Sequence, residues 1–322
     1  MEVSIHDFIK ALPKTETHLH IEGALPWPLL QAANPGKYQN APASWAPDFC
    51  FLDFAHFESE LLGYVGDFFT SSERYHKCAC AVFADRLARN IRYTEISFAS
   101  GCIDFMNLDG REVCDAIRSA VPAGLEVRIF LGIHHEGYTQ KMAPILEDAL
   151  AWPSLDGIDL HGAEPAPLGD WAESYWCRAR DAGKFTKAHA GEFCGPDFIR
   201  HVVEKLGAQR IEHGVRAVED PAVLDLLRER GIALDVCPVS NVKLGVVPVA
   251  DQHPIRRLIH AGIVCTISTD DPISFGQTLE DEYLLLAEKL SFTRDQLAGL
   301  AHNGFRVALA SEDWKRATLA TF

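Results

Sequence analysis

The chain is short of positive charge and holds no long apolar run. Its 30 Lys and Arg stand against 45 Asp and Glu, a formal net charge of −15 over 322 residues. A polyanion approaching such a surface meets repulsion on average, so non-specific nucleic-acid binding is disfavoured and a small substrate is expected. No stretch of about 18 apolar residues occurs, which removes a membrane-spanning helix. The opening MEVSIHDFIK lacks the basic start and apolar core of a secretion signal, so neither export nor anchoring is expected from it. The nine cysteines form an odd set without a C-x-x-C pair. Neither a disulfide framework nor a zinc finger is indicated, and a reducing cytoplasm suits them. Cys78 and Cys80 in CAC read as buried helix residues rather than as a disulfide or a metal pair.

What is present is ordinary for a globular protein with a sizeable core: 48% hydrophobic and 23% charged residues. The length suits one domain spanning 1–322. Eight β-rich runs recur, each followed by a polar, helix-compatible segment: TETHLH (15–20), IRYTEISF (91–98), EVRIFLGI (126–133), GIDLHG (157–162), FTKAHA (185–190), QRIEHG (209–214), IALDVC (232–237) and IVCTIST (263–269). In GPDFIRHVVEKLG the apolar Phe198, Val202 and Val203 share one helical face. PAVLDLLRERG begins with Pro221 and ends at Gly231, the usual punctuation of a helix. Strand and helix in alternation imply parallel strands with right-handed crossovers. A (β/α)₈ TIM barrel is the expected closure, with an open doubly wound sheet as the fallback. The interval of about 24–90 is too long for one crossover; it holds the Pro-rich NPGKYQNAPASWAP and a helical stretch from about Phe54 to Arg89. Such an insertion after strand 1 is expected to lie over the top of the barrel, as a lid or as packing.

Polar residues collect at the ends of the strand-like runs, where barrel enzymes place their active sites. His18 and His20 are two apart on an extended segment and so share a face that reaches one point. Alone, two such histidines are more often structural; a third imidazole and a carboxylate from other strand ends change that. His189, His213, Asp270 and Asp271 arrive in this way. Imidazoles with a carboxylate suit Zn²⁺, and equally iron or manganese, and such an ion makes a water nucleophilic near neutral pH. Glu192 in HAGE would stand beside that centre as a proton shuttle. The run Asp270-Asp271-Pro272 also reads as a helix N-cap, and capping can coexist with catalysis.

HLHIEG, DLHGAE, KAHAGE, QRIEHGV, CPVSNVKLG and STDDP, in this order and at these separations, resemble the adenosine and adenine deaminases of the amidohydrolase superfamily. The likeness spans nearly the whole chain and is strongest from Gly157 to Tyr283. It implies that His18, His20, His189 and Asp270 hold a single zinc, with the hydrolytic water as a further ligand. It also implies that Glu192 protonates N1 of the purine, that His213 and Asp271 orient the water and stabilise the adduct at C6, and that Gly162 contacts the base near N3. Asp271 would also hydrogen-bond the amino side of the ring. Alternatives in other classes fare worse. An inactive purine-binding barrel would be expected to have lost a ligand or the acid, and a two-metal amidohydrolase would carry a lysine where this chain has His161-Gly162.

One departure bears on the substrate. The adenosine-specific pattern carries Asp where this chain has Glu22. The longer acid either reaches a shifted ribose or fills its space; the second option favours free adenine. The motifs lean to adenosine, giving inosine and ammonia, with adenine, N6-substituted adenines and sugar-modified adenosines as alternatives. His134 and His135 end the third run and read as structural, with pocket lining as the alternative. Nothing in these motifs fixes an oligomeric state.

Overall fold

Eight parallel strands pair in strict chain order in a computed structural model that describes residues 3–320. They are β1 (Lys14–Glu16), β2 (Ile91–Ala99), β3 (Glu126–His134), β4 (Gly157–His161), β5 (Phe185–Ala190), β6 (Arg210–His213), β7 (Ala233–Val236) and β8 (Cys265–Ile267). This is the TIM barrel expected from the eight runs. The seam between β1 and β8 has few backbone bonds: Asp270 N–H to the His18 carbonyl at 3.3 Å and His20 N–H to the Asp270 carbonyl at 3.2 Å. The first and last ladders are shorter than the runs 15–20 and 263–269 for a local reason. Ser268 Oγ accepts from the amides of both Thr17 and His18, each at 3.0 Å, where a regular ladder would use carbonyls.

The outward faces of the strands carry the apolar core. Ile96, Ile129, Ile158, Ile211 and Leu234 pack against Ile117, Leu146, Trp176, Ile199 and Leu227 of the surrounding helices, all fully buried. Each such side chain contributes about 1.5–3 kcal/mol on burial. The helix Pro221–Arg230 ends at Gly231 with φ 65°, as its punctuation implies. The helix at Pro196–His201 widens to π spacing over Val202–Leu206, and Val202 and Val203 are both buried there. All nine cysteines are free. Cys78 is buried but Cys80 is exposed, because residues two apart on a helix point to different sides.

The interior of the barrel departs from the branched apolar filling usual for this fold. Lys187 and Arg210 lie inside with Glu95, Glu212 and Asp235, all buried. Arg210 Nη1 lies 2.6 Å from Glu95, and Lys187 Nζ lies 3.2 Å from Glu95 and 3.3 Å from Asp235. Lys187 also pairs with Glu212 and donates to the Thr17 carbonyl at 2.6 Å.

The insertion at 24–90 is helical, but the single stretch expected over 54–89 is two helices, Phe54–Phe68 and Ser72–Ala88. The break falls at Thr70-Ser71, where the Ser71 hydroxyl caps the second helix by accepting from Arg74 N–H. The segment before them is bolted to the barrel. Lys243 Nζ donates to the carbonyls of Ser44 and Ala46, and Trp45 Nε1 to that of Ile273. No helix among the described residues is long and apolar enough to cross a membrane.

Candidate active site

The C-terminal ends of β5, β6 and β8 and the extended segment after β1 bring the expected residues to one place. His18 Nε2 lies 3.2 Å from His20 Nε2, 3.1 Å from His189 Nε2 and 3.3 Å from Asp270 Oδ1, which is itself 3.0 Å from His20 Nε2. The outer atom of each group is held by the protein. His20 Nδ1 meets Ser97 Oγ at 2.8 Å, His189 Nδ1 meets the Leu160 carbonyl at 2.9 Å and Glu212 at 2.9 Å, and Ser240 Oγ donates to Asp270 Oδ2 at 2.7 Å. With Nδ1 occupied, the Nε2 lone pairs converge.

These separations fit a metal. Four donors at about 2.0–2.1 Å from a tetrahedral Zn²⁺ stand roughly 3.3 Å apart, the spacing observed here, and lone pairs facing one another repel unless a cation lies between them. The outer hydrogen bonds are those that metal-bound histidines require. His213 lies within metal-ligand reach of His18, His189 and Asp270, and His20 within that of Asp270 and Asp271, although strand alternation puts the neighbour of His213, Glu212, inside. A left-handed backbone at His213, φ 63°, turns the second side chain inward as well. Asp270 has the same conformation, φ 65°. For residues other than glycine this backbone is uncommon and clusters at functional sites.

Glu192 and His213 adjoin the cluster, Glu192 Oε1 lying 3.5 Å from His213 Nε2. Burial, reinforced by the Asp270 charge, pushes the Glu192 carboxyl well above its ordinary value, toward the protonated form. Burial and Asp270 likewise raise Asp271, whereas His18 and His20 outweigh burial and hold Asp270 low. Glu192 Oε1 and Asp271 Oδ1 are buried without a hydrogen-bond partner. Asp271 stands at the N-cap of the short helix Pro272–Phe275, yet its side chain makes no capping bond and faces the pocket instead. Gly23 permits this: a Cβ there would fall 1.7 Å from Asp271 Oδ1.

Glu22 and Gly162 line the same pocket, a space of about 730 Å³ open at its mouth. Glu22 Oε1 accepts from Tyr75 Oη at 2.8 Å and from Ala99 N–H at 3.1 Å. From the insertion, Phe54, Phe57, Glu58, Leu61 and Leu62 of one helix form the opposite wall. His134 lines the pocket, while His135 turns away to the Ala166 carbonyl at 2.7 Å.

Four positioning groups went unread in the sequence. Glu164, in DLHGAE, accepts from the backbone N–H groups of Gly191, Glu192, Phe193 and Cys194, which fixes the turn carrying Glu192. Asn241 and His253 set the orientation of His213. Ile255 N–H donates to His253 Nδ1 at 3.2 Å, which leaves the His253 Nε2 proton for Asn241 Oδ1 at 3.1 Å. Asn241 Nδ2 then donates to His213 Nδ1 at 3.1 Å, so neutral His213 carries its proton on Nε2, toward Glu192. The fourth is Glu212, against the back of His189. Its signal was available, since Glu212 sits beside His213 in RIEH.

An eight-stranded parallel barrel with imidazoles and carboxylates gathered at its C-terminal strand ends is a barrel of the amidohydrolase type. The chain belongs to the adenosine deaminase family, whose model matches residues 13–321, and is a hydrolytic deaminase. It is 34% identical over 320 residues to an adenine deaminase of Rhizobium leguminosarum bv. trifolii, covering 96% of this chain and 98% of that one. It is 32% identical over 314 residues to an aminodeoxyfutalosine deaminase of Streptomyces avermitilis, covering 93% and 87%. The crystal structure of an adenine deaminase from Arthrobacter aurescens superposes with a TM-score of 0.87 at 25% identity, over 96% of this chain and 98% of that one.

Proposed function

We propose that the chain is a single-domain, zinc-dependent hydrolase that converts a 6-aminopurine and water to the 6-oxopurine and ammonia, adenosine to inosine foremost. The observation that carries this is the convergence of His18, His20, His189 and Asp270 at metal-ligand spacing, with Glu192 alongside, 3.5 Å from His213. These four residues would hold the ion, one per chain, and the ion supplies a water acidic enough to be nucleophilic near neutral pH. Glu192 donates its proton to N1, which lets the ring lose aromaticity as C6 is attacked, and then takes up the proton of the water. His213, presenting Nε2–H, and Asp271 orient the attacking oxygen and stabilise the charge that develops. Asp271 also accepts a hydrogen bond from the amino group, which takes the remaining proton of the attacking oxygen and leaves as ammonia as the C6–N bond breaks and the C6–O double bond forms.

Glu22 supports the nucleoside reading. Tyr75 and Ala99 tie one carboxylate oxygen to the wall, which leaves the other to accept a ribose hydroxyl instead of filling its place. The likeness to adenine deaminases over nearly the full chain favours free adenine as the second reading. Nine free cysteines suit a reducing cytoplasm.

The test is ammonia release from adenine, adenosine, 2′-deoxyadenosine and N6-alkyl adenines by the zinc-loaded protein, with metal content by elemental analysis. Turnover of adenosine above the others is expected, and silence on the whole panel would overturn the reading. Asp270→Ala should lower bound zinc; full occupancy in that variant removes Asp270 from the ligand set.

A further inference from the structure

A recess of about 690 Å³, open to solvent, lies at the opposite end of the barrel from the candidate active site, between the N-terminal ends of β3 to β6 and the end of the helix Trp171–Asp181. Arg128 lines it from β3, Arg180 and Lys184 from the helix end and the turn after it, and Gln209 from the approach to β6. Asp156 is its one carboxylate. In a chain with 45 acidic residues against 30 basic ones, a recess of this sign runs against the average. No lysine or arginine lines the catalytic pocket.

The hydrogen bonds show what the recess lacks. Asp156 is already engaged: Oδ2 accepts from Ile129 N–H at 2.7 Å and pairs with Arg118, while Oδ1 lies 3.9 Å from Arg128 Nε. Arg128 Nε donates to the Leu309 carbonyl at 2.7 Å and Nη1 pairs with Glu126 at 2.7 Å, which leaves Nη2. Arg180 uses only Nη1, on the carbonyls of Leu206 and Gly207. Lys184 Nζ donates to the carbonyls of Trp152 and Leu155, each at 2.7 Å, and has a third proton left. Neither Arg180 nor Lys184 is in an ion pair among the described residues. Burial pulls the Lys184 ammonium below its ordinary value, and Asp156 offsets only part of that. Gln209 Oε1 accepts from Thr186 N–H at 3.0 Å, so the amide nitrogen is the end left over.

Four side chains thus have donors to spare, and the one carboxylate beside them is taken. Such a set matches a ligand that offers only acceptors and carries negative charge. We propose that the recess binds a multiply charged oxyanion of the phosphate class, and that this ligand joins the strand starts to the helix end and stabilises the fold from the face opposite the active site. Arg180 and Lys184, the two cations without a carboxylate, set the charge: a dianion answers both, whereas a single carboxylate group answers one. Guanidinium and ammonium groups together suit phosphate oxygens. The N-terminal face of a barrel of this kind is the one that serves stability. The site is independent of the chemistry in the catalytic pocket.

The test is calorimetric titration of the zinc-loaded protein with inorganic phosphate in one arm and glycerol 2-phosphate in the other, at an ionic strength fixed with sodium chloride. Saturable binding of phosphate at one site is expected. Binding of the ester as well marks a site open to phosphate carried on a larger molecule, and binding of phosphate alone marks a site for the free ion; both support the proposal. Gln209→Glu keeps the acceptor for Thr186 N–H but sets a carboxylate among the cations, so it should weaken phosphate about tenfold or more, and Lys184→Gln should do the same by removing a charge. Asp270→Ala, which disrupts the metal site, should bind phosphate as the wild type does. Phosphate should also raise the urea midpoint of the wild type more than that of Gln209→Glu. Absence of saturable binding overturns the proposal, as does unchanged affinity in both recess variants. Binding lost in Asp270→Ala but kept in Gln209→Glu would place the ion at the metal and overturns it too. Equal rises in the urea midpoint would be the general effect of an excluded salt and would remove the stabilising role.

Discussion

The mouth and the floor of the barrel both bury ionisable groups, but they balance them in opposite ways. On the floor, Lys187 and Arg210 face Glu95, Glu212 and Asp235 at ion-pair distance, so every carboxylate there has a cation of the chain beside it, two cations being shared among three acids. At the mouth, three imidazoles and a carboxylate aim lone pairs at a common point. Taking charges out of water costs several kcal/mol per ion unless partners are supplied. The floor supplies them covalently, as side chains, whereas the mouth is arranged for partners that arrive: a cation, and a substrate for the unpartnered oxygens of Glu192 and Asp271. A self-balanced region serves stability and an unbalanced one serves chemistry, and substitutions separate the two.

The largest effect belongs to the mouth. Glu192→Gln keeps the shape but removes the proton shuttle, and turnover should fall by about two to four orders of magnitude while zinc stays bound. Activity near wild type would mean that Glu192 is not the acid. Stability to urea should hardly change in this variant, because the substitution leaves no charge unpaired.

The floor behaves in reverse. Lys187→Met leaves Glu95, Glu212 and Asp235 facing one another without their common cation, and breaking a buried pair in this way costs about 3–5 kcal/mol. Urea denaturation should show that loss. Adding Glu212→Gln to it should restore part of the stability, since a like-charged carboxylate is removed. A loss below about 1 kcal/mol would show that water reaches the floor and that the contrast between the regions is overstated.

The same contrast explains how much was legible in the sequence. The barrel was, because eight strand-like runs at regular intervals leave few other closures. The meeting of His18, His20, His189 and Asp270 was also legible, because motifs such as HLH and HAGE place these side chains at strand ends. Lys187 and Glu95 were harder to read: each sits in a strand run and passes as a solvent-facing residue. Alternation held the clue, since Lys187 is two residues from His189 and Glu95 two from Ser97, so both share the inward face. His213, by contrast, stands out at the end of the sixth run even though a left-handed backbone there breaks alternation. The Asn241 and His253 relay links loops after different strands, and no local pattern encodes it. The break at Thr70-Ser71, in contrast, is written in its capping residues.

Below both mouth and floor in expected size stands Asn241. Asn241→Leu removes the donor to His213 Nδ1 and frees the imidazole to place its proton on either nitrogen. Outer partners of this kind are worth about 10–100-fold in activity. kcat/KM should fall within that range with zinc content unchanged, and the ¹⁵N shifts of His213 should report a mixed tautomer. A single Nε2–H tautomer in the variant would mean that the ring is held by something other than Asn241.

His253 gives the smallest effect, and its sign follows from burial. Burial lowers its imidazole from 6.5 to about 3, so the folded protein keeps it neutral while the unfolded chain takes up a proton near 6.5. Its contribution to stability is complete above pH 6.5 and declines as pH falls toward 3, because the unfolded state then binds the extra proton. Between pH 6.5 and pH 5 the loss is about 2 kcal/mol. Glutamine can imitate neutral His253, accepting from Ile255 N–H and donating to Asn241, but it does not titrate. The gap in stability between wild type and His253→Gln should therefore shift by about that amount in favour of glutamine as the pH is lowered. Parallel pH curves for the two proteins would mean that His253 already takes up its proton in the folded state. Its Nε2–H to Asn241 would then no longer follow from Ile255, and the relay would lose its fixed direction.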